Sequence, residues 1–261
     1  MKIPHLRAGA RVPAKRPLAA LACALALAAC GAANDRGTAD KPAPAATAAD
    51  APAPKPGLVD PRPLQGAGAV AFDPARPRVA WAANAELRVF DLDRGEEERR
   101  IEVGDWIGDL AIAPDGAIWV VAGVPQLWRD GAQACRADGI EADRLLAVDD
   151  AGAVVASYSH SDGVGMLRRQ VWLDAQCQVA DERVEPVPAG VADSEADPGA
   201  AFGRASLQPV HDAEAELARR LSRVQLPAGA GVKQAVAISR DGRWWVLEGA
   251  QGRTLWRRDG A

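Results

Sequence analysis

The chain has 261 residues and a formal charge of −4, from 31 basic and 35 acidic side chains. Five of the basic residues and none of the acids lie in residues 1–29, so the rest of the chain sets 26 basic against 35 acidic residues, a net of −9. A body this acidic does not suit nucleic acid or an anionic lipid surface.

Lys2, Arg7, Arg11, Lys15 and Arg16 precede a wholly apolar run, residues 18–29, that is too short to span a bilayer and ends in small residues. This is the layout of a secretory signal. The phrase Leu27-Ala28-Ala29-Cys30 resembles the lipobox of bacterial lipoproteins. That resemblance implies cleavage after residue 29 and acylation of Cys30 with more than one chain, a combination that anchors a protein firmly. Gly31 stands where an aspartate would favour the inner membrane. The resemblance therefore implies an outer-membrane lipoprotein facing the periplasm, ahead of the inner membrane or the cell surface. Residues 30–56 are Ala, Pro and small polar residues without aromatic or branched aliphatic side chains beyond the cysteine, and they read as a disordered tether.

Residues 57–261 carry a repeat. Four segments align: 70–91, 110–130, 146–174 and 236–259. Each is a short apolar strand, a turn, a second apolar strand, a looser turn, and a third strand closing on an aromatic residue. The closing aromatics are Phe90, Trp128, Trp172 and Trp256, and the turns carry Asp115-Gly116, Asp150-Ala151-Gly152 and Asp241-Gly242. A fourth strand follows two of the units, at 99–103 and 182–185. Antiparallel units recurring at this spacing predict an all-β fold, a small β-propeller of about five blades.

Four of those blades are clear. Residues 191–231 hold an acidic Pro/Gly-rich loop, then a short helix with Asp212 as its cap and Leu217, Leu221 and Val224 on one face. This stretch reads either as a degenerate blade, which makes five, or as one excursion between blades. Val224-Gln225-Leu226 reads as a further outer strand. The chain ends after the third strand of its last unit, so Gly57-Leu58-Val59 is expected to supply the missing outer strand and cover that edge. Of Trp244 and Trp245, adjacent and therefore on opposite faces, one is expected in the core and the other nearer solvent.

The phrase Asp115-Gly116-Ala117-Ile118-Trp119-Val120 and the aligned units resemble WD-repeat and quinoprotein-like propellers. The resemblance covers residues 57–261, is architectural, and brings no quinone, metal ligand or other cofactor with it. Cys23 leaves with the signal and Cys30 is lipidated, so Cys135 and Cys177 are the candidate disulfide for an oxidising compartment. Both fall near outer strands of successive blades, farther apart than a disulfide reaches. Either the loops lean together or the thiols stay unpaired.

No histidine cluster, carboxylate pair or phosphate-cradling loop marks a catalytic or metal site. His160 lies in Ser157-Tyr158-Ser159-His160-Ser161-Asp162-Gly163, a polar cluster able to hold a small ligand and equally a plain hairpin loop; His211, at the start of the helix, reads as a surface residue. In propellers the residues leading into each innermost strand ring the mouth of the axial channel. Here they are Asp105, Trp106 and Asp109, then Asp143 and Arg144, then Lys233 and Gln234, and they form the candidate partner-binding rim. The expected function is a non-enzymatic binding or scaffold module for an envelope protein partner or a small ligand. The alternatives are a lactonase- or lyase-type propeller enzyme and a degenerate propeller without activity.

Overall fold

The computed structural model describes residues 55–187, 202–204 and 206–260. The signal, Cys30, most of the tether and residues 188–201 lie outside the described residues. Strand β1 (Leu58–Pro63) is followed by sheet I, made of β2 (Ala67–Phe72), β3 (Arg78–Ala83), β4 (Glu86–Asp91) and β5 (Glu96–Glu102). Sheet II is β6 (Asp109–Ile112), β7 (Ile118–Ala122), β8 (Val124–Arg129) and β9 (Ala132–Arg136). Sheet III is β10 (Arg144–Asp149), β11 (Gly152–Ser161), β12 (Gly165–Asp174) and β13 (Val179–Pro186), with the two-residue β14 (Gln208–Pro209) added beside β10. After the helix α1 (Glu214–Leu221) comes sheet IV, built of β15 (Val232–Ile238), β16 (Trp244–Gly249) and β17 (Gly252–Arg258).

Sheet IV is completed by β1, with Leu58 opposite Arg258 and Val59 opposite Arg257. The strand expected from Gly57-Leu58-Val59 is thus in place. It covers an edge that would otherwise expose a row of unpaired backbone groups. The ends of the described body are held together by this one antiparallel pairing.

The sheets meet face to face, because their second strands, such as β3 and β7, are buried on both sides, while the outer strands β5, β9 and β13 are largely exposed. Leu87, Ile101, Leu110 and Val120 fill the space between sheets I and II. Trp119, Leu127, Leu145 and Val171 fill the space between II and III. Trp81, Trp244, Val246 and Leu255 do the same between IV and I. The first strands face one axis, β2 touching β6, β6 touching β10, and β15 touching β2. This is a β-propeller.

The expectation of about five blades needs correction. Among the described residues there are four sheets, and residues 206–231 add no fifth. Instead, residues 206–211 run along the inner edge of β10, from Ser206, whose Oγ donates to Asp149 Oδ2 at 2.9 Å, to His211 at the opposite end. The chain then returns as α1. Leu207 packs on Trp172 of sheet III, while Leu217 and Val224 pack on Trp245 and Trp256 of sheet IV. The helical spacing of Leu217, Leu221 and Val224 explains the outcome: it makes an apolar stripe on a helix, not an alternating strand.

Three smaller expectations also change. Asp212 does not cap α1; Ala213 is the N-cap and no side chain bonds the first turn. Val224-Gln225-Leu226 forms no strand but a single parallel bridge, with the Leu58 N–H donating to Gln225 O at 3.3 Å and the Gln225 N–H to Pro56 O at 2.9 Å. Trp244 and Trp245 are both buried, at 8% and 2% exposed, because α1 covers the face of sheet IV that a neighbouring blade would otherwise leave open.

Cys135 lies on β9 and Cys177 in the β12–β13 turn, and the two are disulfide-bonded with their Cα atoms 5.8 Å apart. The reach comes from the turn. Cys177 is off the strand, at φ +60°, after Asp174 Oδ1 has accepted the N–H groups of Gln176 and Gln178 at 2.9 and 2.8 Å and bent the chain towards sheet II.

Candidate functional site at the mouth of the ring

Each first strand enters from the same end of the ring, and a cavity of about 380 Å³ opens there. Every sheet contributes to it. Gly68, Ala69 and Val70 come from sheet I, Gly108 and Asp109 from the entry to sheet II, and Asp143 and Arg144 from the entry to sheet III. Val236 and Arg253 come from sheet IV, and His211 from the segment beside β10.

Asp109 organises the mouth. It is 4% exposed. Its Oδ1 accepts the Leu110 N–H at 2.9 Å, and its Oδ2 accepts the Leu145 N–H at 2.9 Å and meets His211 Nε2 at 3.0 Å. One carboxylate therefore ties the start of β6 to β10 and to the returning segment. A carboxylate only accepts, so His211 donates from Nε2 and keeps Nδ1 for another partner. The Asp143 N–H donates to Ala156 O at 2.8 Å, and Asp143 Oδ2 accepts the Tyr158 N–H at 3.0 Å, which fixes the loop before β10 against β11. Arg253 brings a guanidinium from the far side, its Nε 3.5 Å from Glu248 Oε2.

Trp106 is the exposed member. It lies in the loop between β5 and β6, its N–H donates to Asp105 Oδ1 at 2.7 Å, and its ring packs over Gly108 while leaving 65% of the residue exposed. A large aromatic group held open over a ring of charges is the kind of surface that anchors a partner, because it desolvates much area for little loss of rotamer freedom.

The structure brings Trp106, Asp109, Asp143 and Arg144 together and sets the other rim residues apart. Asp105 flanks Trp106 without lining the cavity. Lys233 and Gln234 are exposed on β15, which begins at Val232, so they lie within the strand and not in the loop before it; Val236 lines the cavity from that strand. Sequence reading missed His211 and Arg253. His211 stands 102 residues from Asp109, and no local pattern joins the two. His160 lies elsewhere, opposite Met166 on the long β11–β12 hairpin that extends past Arg144.

Chemically, the described lining offers two guanidiniums, two carboxylates, an imidazole and an indole, with no hydroxyl or thiol nucleophile. Among the described residues no group of three or more His, Cys, Asp or Glu side chains is placed to hold a metal ion. Such a mixture of charges suits recognition of a polar surface.

No family model matches the sequence, and no curated protein matches it. Among solved structures, the chain is similar to the hydrazine synthase of Kuenenia stuttgartiensis, at 15% identity and a TM-score of 0.38, covering 70% of this chain and 61% of that one. It is also similar to the β-propeller domain of Cps50 (Swd1) from Myceliophteria thermophila, at 11% identity and a TM-score of 0.38, over 74% of this chain and 67% of that one. A chain of a mitotic checkpoint complex is similar over 86% of this chain and 99% of its own length, at 12% identity and a TM-score of 0.45. The chain spans under two thirds of the first of these. Likeness at this level carries nothing about ligand or reaction.

Proposed function

We propose that this protein is a lipid-anchored, non-enzymatic binding module of the bacterial cell envelope, which presents the mouth of its propeller to an envelope protein. The observation that carries the reading is Trp106, 65% exposed at the edge of a cavity to which all four sheets contribute charged or backbone groups. An indole held open beside a charged cavity is the residue type that anchors protein partners. The anchor part of the proposal rests on Leu27-Ala28-Ala29-Cys30 and on the tether behind it. With acylated Cys30 in the outer membrane, the tether leaves the body in the periplasm, where the Cys135–Cys177 bond is chemically at home.

Two experiments test it. A photo-crosslinking residue at position 106, activated in intact cells, should trap one envelope protein, while the same residue at position 100 on the outer edge of sheet I should not. Equal capture at both positions, or none at 106, contradicts a mouth-centred site. Cys30→Ser should move the protein from the membrane to the soluble periplasmic fraction; retention in the membrane contradicts the anchor.

A further inference from the structure

The opposite face of the ring carries a second cavity, of about 560 Å³, between sheets I and IV. We propose that it is a ligand site for a small anionic amphiphile: a carboxylate, sulfonate or phosphate borne on an apolar body. This rests on the lower face alone and is independent of the mouth.

The floor is apolar. Phe72 ends β2, Leu92 follows β4, and Trp244 begins β16; Leu92 and Trp244 are buried in the core shared by the two sheets. The rim is cationic. Arg76 and Arg78 come from the β2–β3 turn and the start of β3, and Arg240 and Arg243 from the corresponding β15–β16 turn. A cavity of this size with an apolar floor and a few convergent polar groups has the usual make-up of a small-molecule site.

The fold engages these charges only in part. Arg78 Nε is 3.0 Å from Glu98 Oε2, and Arg243 Nε stands 4.0 Å from Asp241 Oδ2. Arg76 instead donates from Nη2 to the backbone carbonyl of Asp115 at 2.7 Å, and among the described residues Arg240 has no ion pair. Among the described residues neither guanidinium has a carboxylate at ion-pair distance, Arg76 reaching Asp115 through its carbonyl and by a longer-range attraction to its carboxylate. Asp93 is the one rim acid that opposes them without an ion pair of its own among the described residues.

All four turns between first and second strands use the same device, an aspartate side chain accepting backbone N–H groups ahead of it: Asp73, Asp115, Asp149 and Asp241. The turns of sheets I and IV add arginines to that frame, whereas those of sheets II and III add Asp150 and no cation. The turn geometry is met without the arginines; Arg76 and Arg78 also serve contacts with Asp115 O and Glu98, so Arg240, and Arg243 at 4.0 Å from Asp241, are the cations around this pocket that the fold uses least. A guanidinium rim matches an oxyanion, and the floor matches an aromatic or acyl body.

The test uses the full chain carrying Cys30→Ser, so that no detergent is present, and two probes: 8-anilinonaphthalene-1-sulfonate read by fluorescence, and decyl sulfate below its micelle concentration as competitor. The proposal expects one saturable site per chain, competition by decyl sulfate, no competition by neutral octyl glucoside, and weakening as salt rises. Arg240→Glu with Arg243→Glu should lower affinity by about tenfold or more with an unchanged near-ultraviolet circular dichroism spectrum. Asp93→Asn should tighten binding about threefold, a gain that misfolding cannot produce. Equal competition by octyl glucoside, unchanged affinity in the double variant, no tightening in Asp93→Asn, or binding only to anionic vesicles and not to the free probes would each overturn it.

Discussion

A Cβ placed on Gly152 would lie 1.9 Å from the carbonyl oxygen of Leu173 on the neighbouring strand, a distance no side chain can occupy. The N–H of the same residue donates to Asp149 Oδ1 at 2.9 Å, so the turn cannot simply back away. Gly152→Ala is therefore expected to cost about 2–4 kcal/mol, read as a lower urea midpoint, whereas Gly163→Ala, with open space at its Cβ, should cost about 1 kcal/mol from its positive φ alone. Asp109 is the other residue on which much converges. Asp109→Ala leaves the Leu145 N–H buried without an acceptor and releases His211, and should cost about 2–4 kcal/mol. His211→Ala removes only the more exposed partner and should cost no more than about 1 kcal/mol. Equal losses in the two variants would mean that the segment beside β10, and not the carboxylate, holds the mouth together.

At the scale of elements, the disulfide is the tie between sheets II and III. It closes a loop with a sequence separation of 42 residues. In the chain-entropy picture such a loop is worth about 4 kcal/mol. Replacing both cysteines by serine should lower stability by that order, with the urea transition of the wild type in reductant moving to match. The strands were largely legible because each repeat states its own period: an aspartate turn between two apolar runs, then a strand closing on an aromatic residue. The outer strand β1 was legible for a different reason, since the last unit lacks an edge partner and an open edge is costly. The disulfide could be left only as two options, because strand positions place Cys135 well but say nothing about how far the turn holding Cys177 leans. The helical segment was legible as a helix and not as the replacement of a blade, since its packing on Trp245 and Trp256 depends on residues far along the chain. The mouth was half legible. Residues before β6 and β10 were placed by the fold, but Lys233 and Gln234 fell inside β15, and the Asp109–His211 pair has no local signature.

At the scale of the whole molecule, acid should weaken the ring from its lower face. Burial pushes the Asp115 carboxyl up, but the Ala117 N–H and the ion pair with Arg129 outweigh it and hold the group below its ordinary value of 3.8. For Asp241 burial acts the same way, and the Ser239 hydroxyl and the Arg243 N–H outweigh it. A carboxylate with a lowered folded pKa adds stability that is present above its unfolded value and is lost as pH falls through the folded one. The urea midpoint should therefore fall once pH drops below about 4, and Asp241→Asn should narrow its gap from the wild type there. A gap that stays constant down to pH 2.5 would mean that the turn carboxylates do not couple to folding.

Ring closure is the claim on which both faces depend, since the mouth and the lower cavity each use residues from sheet IV and from sheet I. Amide hydrogen exchange across residues 58–64 and 252–259 tests it most directly. The account predicts that the amides bonded across this pairing, such as Leu64 N–H to Arg253 O and Asp259 N–H to Gly57 O, exchange as slowly as those between β16 and β17 and are released in the same cooperative step as denaturant is raised. Fast, independent exchange of the Leu64 and Asp259 amides beside a protected β16–β17 pair would show that the N-terminal strand does not close the last sheet, and would contradict it.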